Sequence, residues 1–534
     1  SVQVCTIVGR QASSSRSASA GSRATTMVPF ITGMIPGLES HILLMTSVLS
    51  PQEELSKNTT TVIGNASWII AWNKERQAHV YLREADVAFC GDTIVFVGKD
   101  YAGQAYTTMD GRGKMIMPGL VNIHSHLSGG PLDKGTFDEV GATAMWGQAL
   151  YSHSPLLVAD EASLGVGAVI ALSELLMSGV TTVVDISGLY PEWVGIMAQS
   201  GTRAVFGNGF RQARWVNVND HRVAYEWDEE AGWRGLEKAL AFIDTVTAHP
   251  CGRFSGMVVP SQVDTCRPEL IQTAHQEARQ RGIPFQTHAA QTMVEFSEML
   301  RRHGKTPVQW LDHLGVLDDH TVLGHCIYLD HHSWTPLRTA HDLPLLAEKK
   351  VTVAHCPTVF GRTGMTLESF GRYVRSGVNL GIGIDSFPFN MLEELRHAAI
   401  YSRITAGDVH DLTTTSVFNA ATTGGARALL REDIGRLTEG AKADLVVVDM
   451  DHPLMKPGRE PLRNLIYVAA ERAIKDVYVD GKKVVADGRI LTLDYDTALS
   501  EIDAAQDRAI SKVPQQDAQH RTLDEIAPMT FPVM

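Results

Sequence analysis

The apolar run Gly119–His126 ends in His124-Ser125-His126, and four later apolar runs end at His288, His325, His355 and Asp385. Steps of 37, 30 and 30 residues separate the last four, one strand-plus-helix unit each. Imidazole and carboxylate together suit a borderline divalent cation such as zinc or iron. Such a cation lowers the pKa of bound water from 15.7 toward ~7, which makes hydroxide available at neutral pH. A lone histidine of this kind is more often a satisfied polar residue. A register of them on five strand ends has no good packing explanation, because burying so many polar groups without a shared partner is costly. The chain has 21 histidines, and the others show no comparable register.

Positioning these groups requires a repeating frame. Eight short apolar strands are expected at Gly119–His126, Val180–Asp185, Arg203–Phe210, Gly256–Gln262, Pro284–His288, Thr321–Cys326, Val351–Cys356 and Asn379–Asp385. Amphipathic helical segments such as Ala162–Ser178, Pro268–Arg281 and Thr292–His303 separate them. Strand–helix repeats imply parallel β, and eight of them imply a closed (β/α)8 TIM-like barrel whose C-terminal strand ends meet at one mouth. Alternate residues share a face. His124 and His126 are thus expected inward, and Cys326 and Cys356, which follow His325 and His355, outward as packing. The stretch RQARWVNVNDHRVAYEWDEE reads as an inserted loop. Ile63–Val97 alternates β-branched and aromatic runs with turns, and ADLVVVDM and DVYVDGKKVVADGRIL return to β through a DG turn. Both flanks of the barrel then build one small β domain. The expected organisation is a disordered tail at 1–44, the first part of the β domain at 45–118, barrel at 119–437, the second part of the β domain at 438–492, and a helical tail at 493–534. In the last of these, Ala498–Lys512 reads as a surface helix.

Composition bounds the function. The 534 residues are 44% apolar and 20% charged, ordinary for a globular enzyme, with a net charge of −13. An acidic balance argues against nucleic acid or an anionic membrane as partner. No apolar run reaches the ~18 residues that a membrane span needs. Six cysteines without a CxxC pair imply reduced thiols rather than a disulfide framework, and a cytoplasmic location. Residues 1–26 hold seven serines, three arginines and no acid. That composition is like a transit peptide, but a disordered tail, or a start upstream of Met27 or Met45, is the simpler reading. The expected partner is a small-molecule substrate, in a homo-oligomer.

The motifs MIMPGLVNIHSHL, ELLMSGVTTVVD and IGRLTEGAKADLVVVD, with the strand-end histidines, resemble the metal-dependent amidohydrolase superfamily over roughly residues 63–491. The branch is similar to cytosine deaminase and the triazine hydrolases. The resemblance implies a (β/α)8 barrel plus a β-sandwich. It implies metal binding by His124, His126, His288 and Asp385, with His325 acting on the water or substrate. Asp385 would then also shuttle the proton. Binuclear members bridge two ions with a carboxylated lysine on strand four or three. Neither strand here holds a lysine, so one divalent ion per chain is expected, zinc first, with iron, cobalt or manganese as alternatives. Gln262, at the end of strand four, reads as a neutral pocket residue.

Ring deaminases of this kind carry a glutamate three residues after the strand-five histidine, which protonates a ring nitrogen. Here the position is Gln291, which cannot donate an acid proton. After strand seven, HCPTVF places Val359 and Phe360 where the family often has a small residue and Asn. Both changes point away from ring chemistry and toward cleavage of a C–N bond in a small amide, carbamate, thiocarbamate or urea, as in the molinate and phenylurea hydrolases. The alternative is an aminohydrolase of a nitrogen heterocycle. A relative that has lost catalysis and serves as a binding or scaffold protein is disfavoured, because every expected ligand is present. Gln291, His355, Gln262, Phe360 and Arg211 are the expected substrate contacts, with Arg214 and Trp215 beside Arg211.

Overall fold

The computed structural model describes residues 59–217 and 222–534. The expected tail at 1–44, and residues 45–58 of the expected sandwich, lie outside the described residues.

Eight parallel strands form the centre. Leu120–Asn122, Val180–Asp185, Arg203–Phe206 and Phe254–Gly256 make one four-stranded sheet, and Phe285–Ala289, Thr321–His325, Thr352–His355 and Asn379–Ile382 make another. Bridges link the two sheets along both edges. Val258 pairs with Phe285 and Gln262 with His288 on one side, and Ser125 pairs with Asp385 on the other. The fourth strand is thus regular only over Phe254–Gly256, and its expected continuation to Gln262 is carried by single bridges. All six residues of Val180–Asp185 are buried, as expected for a parallel strand covered on both faces. Val121, Ile123, Val184, Met257, Val322 and Ala354 pack on one another in the interior. Leu172, Leu176, Phe285, Leu323 and Val353 belong to the larger cluster between strands and helices.

The helices carry the stops that their sequences supply. Asp160 caps Glu161–Met177 by accepting from the Ser163 N–H. Pro268 opens Pro268–Arg281, and Gly282 closes it at φ +64°.

A seven-stranded sheet draws strands from both flanks: Trp68–Asn73, Ala78–Leu82 and Lys114–Pro118 from before the parallel strands, with Leu445–Asp449, Ile474–Val479, Lys482–Ala486 and Arg489–Ile490 from after them. A four-stranded sheet within residues 60–110 packs on it around Ile63, Ile69, Val87, Phe89, Ile116 and Leu445. Arg203, on the third parallel strand, donates to Asp444 (3.0 and 3.1 Å) and to Asp480, so a buried ion cluster ties this part to the parallel strands.

Two local expectations change. The stretch read as an inserted loop is an antiparallel hairpin, Ala213–Asn217 with Val223–Trp227. The C-terminal helix, Tyr495–Ile510, is no free surface element: it buries Ala498, Ala505 and Ala509, and Arg508 pairs with Asp160 at 2.8 Å.

Candidate metal centre and active site

The strand-end residues converge. Ring nitrogens of His124, His126 and His288 lie within 4.8 Å of one another, as do donor atoms of His124, His325, Cys356 and Asp385. Asp385 stands between the imidazoles, with Oδ1 3.5 Å from His126 Nε2 and 3.9 Å from His124 Nε2, and Oδ2 3.7 Å from His325 Nε2.

Three of the rings are held from behind. His124 Nδ1 lies 3.0 Å from Gln286 Oε1, His126 Nδ1 2.5 Å from the Ile186 carbonyl, and His288 Nδ1 2.5 Å from the Ser261 carbonyl. Each partner oxygen can only accept, so each Nδ1 donates and each Nε2 keeps its lone pair for the centre. Burial lowers the pKa of His124 and of His288 to about 3 and that of His325 well below the usual imidazole value, so all three are neutral near pH 7. His124 Nε2 and both ring nitrogens of His325 are buried without a hydrogen-bond partner among the described residues. Orphaned lone pairs aimed at a carboxylate are what one divalent cation would satisfy, so the donor set fits such an ion.

The backbone pays locally for this convergence. His325 has φ +82° and Asp385 φ +64°, both in the left-handed region that non-glycine residues avoid. The Asp385 turn is fixed because the Ile384 and Asp385 N–H groups both donate to the His124 carbonyl at 2.9 Å, and Asn122 Oδ1 accepts from Ile384 N–H at 3.2 Å. Gly383 lets the strands approach: a β-carbon there would meet His124 Cβ at 2.7 Å and Cys356 Sγ at 2.9 Å. Asp185 steadies the chain after His126 by accepting from Leu127 N–H (3.1 Å), Ser187 Oγ–H (2.7 Å) and Trp193 Nε1–H (2.7 Å).

A cavity of about 450 Å³ opens over the centre. His126, His288 and Asp385 line it, and so do Gln262, Gln291 and Phe360 of the expected substrate contacts. The Phe360 ring packs edge-on against His325, centroids 4.6 Å apart. Gln291 sits on a loop held by the buried Glu295, which accepts from the Ala290 and Gln291 N–H groups at 2.7 and 3.0 Å.

Two expected contacts are corrected. His355 does not line the cavity, and its ring packs near Phe370 at 5.9 Å. Cys356 takes the inward place instead, because Ala354 packs in the interior cluster and residues two apart share a face. Burial raises the Cys356 thiol pKa well above its usual value, and its Sγ lies among the donor atoms of His124, His325 and Asp385. Cys326 lies in the strand–helix core, as expected. Arg211 is exposed and lines a separate surface depression with Arg214 and Glu226. Trp215 is also turned away, donating to Asp264 at 3.0 Å.

Sequence reasoning missed the other wall. Asp133, Phe137, Asp138, Gln148 and Leu157 come from the long connection after the first strand, and Arg362 from the loop after Phe360. That connection has only short helical turns, at Gly130–Asp133, Thr143–Met145 and Ser154–Leu156, and so offers no periodic signal.

The model of the amidohydrolase family matches residues 115–484. The chain belongs to this family. The amidohydrolase is 30% identical over 419 residues to a 5-methylthioadenosine/S-adenosylhomocysteine deaminase of Natronomonas pharaonis, covering 77% of its own length and 91% of the relative's. It is 27% identical to a 5'-deoxyadenosine deaminase of Methanosphaera stadtmanae, covering 78% and 93%. Among solved structures, an adenosine deaminase of Xanthomonas campestris with bound zinc matches at TM-score 0.73 and 25% identity, covering 85% of this chain and 99% of that one. A zinc-complexed atrazine chlorohydrolase of Arthrobacter aurescens matches at TM-score 0.72 and 23% identity, covering 84% and 100%, a likeness of fold. This amidohydrolase is thus a hydrolase of carbon–nitrogen bonds in a metal-dependent family, in the branch that its motifs resemble. Its deaminase relatives turn the expectation from a linear amide or urea toward the alternative, a ring amine, and leave the comparison with molinate and phenylurea hydrolases without support.

Proposed function

We propose that this chain is a zinc-dependent aminohydrolase with one ion per chain, releasing ammonia from an sp2 carbon of a nitrogen heterocycle of the adenine type. The observation that carries the reading is the likeness to nucleoside deaminases over nearly their full length, joined to a neutral imidazole cluster around one carboxylate. In this reading the eight parallel strands close as a (β/α)8 barrel, which the bridges along both sheet edges support.

His124, His126, His288 and Asp385 would hold the ion, which when bound supplies a water that ionises near neutral pH. Asp385 takes the proton of the attacking water and delivers it to the departing nitrogen. His325, neutral and braced by Phe360, orients that water. Gln291 hydrogen-bonds the ring nitrogen beside the attacked carbon, and it stabilises without transferring a proton.

Gln291 also favours a second reading, cleavage of an acyclic amide or urea, in which no ring nitrogen needs an acid. A substrate panel separates the two. Zinc-loaded protein should release ammonia from 5'-deoxyadenosine or a related aminopurine and leave simple amides, carbamates and ureas intact. Hydrolysis confined to the acyclic compounds would establish the second reading.

A further inference from the structure

We propose that Asp133 makes one wall of the cavity a subsite for a cationic substituent, so that the preferred substrate carries a pendant aliphatic ammonium group. The proposal rests on the same cavity as the aminohydrolase reading and adds to it the charge of the part of the substrate that does not react.

Asp133 lines the cavity, and its carboxylate makes no hydrogen bond to the described residues. The basic groups around it are already committed. Lys134 donates to Glu174 at 2.7 Å. Arg362, the one Arg or Lys among the described lining residues, donates to Asp138 at 2.6 Å and stacks 3.8 Å over the Phe387 ring. Two carboxyls thus share one guanidinium, and the wall carries one negative charge in excess when both are ionised. Burial, with Asp138 adding to it and Arg362 opposing, raises the Asp133 pKa to about 7. A carboxyl so poised gains a full partner only when a cation enters.

Its position is also fixed. Gln506, on the C-terminal helix, donates to the carbonyls on either side of Asp133, Leu132 at 2.7 Å and Lys134 at 3.0 Å. Phe137 and Leu157 flank the same wall with apolar surface. An acid set beside such surface suits an ammonium on a hydrocarbon arm better than a polyhydroxylated group, which would need several donors and acceptors. The metal centre attracts the electron-rich reacting part of the substrate and Asp133 the cationic part, and both line the same cavity.

Calorimetric titration of the zinc-loaded protein with benzylammonium and with its neutral isostere, benzyl alcohol, tests this without turnover. A charge-assisted hydrogen bond predicts roughly tenfold tighter binding of the cation to the wild type at pH 8. Asp133→Asn should erase that preference and leave benzyl alcohol unchanged. Because the preference is read first in the unaltered protein, a misfolded variant does not spare the proposal. Equal affinity for the two probes in the wild type would overturn it, and so would an unchanged preference in Asp133→Asn. Failure of ammonia release alone would refute the aminohydrolase reading and leave this result standing.

Discussion

Gln286→Leu removes the oxygen that holds His124 and leaves the imidazole itself in place. In the wild type Gln286 Oε1 lies 3.0 Å from His124 Nδ1, and the Gln286 amide donates in turn to the Ile123 carbonyl at 3.2 Å. Both groups are fully buried, so no water replaces the lost acceptor. A buried donor left unpaired costs about 1–3 kcal/mol. The ring can escape this cost by turning its N–H toward the centre, which withdraws the Nε2 lone pair. Loss of an outer partner of a metal-bound histidine commonly lowers metal affinity by about 10–100-fold, in line with that energy at ~1.4 kcal/mol per decade. Competition with a chromophoric chelator at pH 7.5 reads zinc affinity directly, and urea unfolding of the metal-free protein reads the structural cost separately. Zinc affinity within about twofold of wild type would refute the idea that Gln286 sets the His124 tautomer.

Asp385→Asn should lower turnover by about 10²–10⁴-fold with the circular dichroism spectrum retained, because asparagine keeps the shape and cannot carry the proton. Gln291→Glu should raise ammonia release from an aminopurine about tenfold or more, since it restores an acid beside the ring; a fall in kcat would favour the acyclic reading. Asp133→Asn should change stability with a defined sign. The folded-state pKa of Asp133, about 7, exceeds that of an unfolded aspartate, so the wild type loses stability as pH rises from about 4 to about 7. The variant lacks that loss and should unfold at a higher urea concentration than wild type at pH 8, and at an equal one at pH 4. Equal midpoints at both pH values would contradict the raised pKa.

The reacting centre could be read from the chain because histidines and an aspartate that end apolar strands one repeat apart have no packing reason to be there. His124, His126, His288, His325 and Asp385 do converge. Strand seven departs from the expectation because its interior face is set by Ala354 and not by its last histidine. Counted from Ala354, which sits in the interior, Cys356 faces inward and His355 outward. At strand six the φ of +82° at His325 breaks the alternation altogether, and single-residue kinks leave no trace in hydrophobic period. The hairpin at Ala213–Trp227 was not legible, because its strands ARWVN and VAYEW carry no alternation of apolar and polar residues. The Asp133 wall was not, since it depends on a loop held by Gln506 more than 370 residues away in sequence.

The central claim is a single metal ion serving an aminohydrolase, and one titration tests both parts. Chelator-stripped protein should release no ammonia from an aminopurine, and stepwise zinc should restore the rate in a line that breaks at one equivalent per chain. A break at two equivalents, or a rate independent of zinc throughout, would contradict the account.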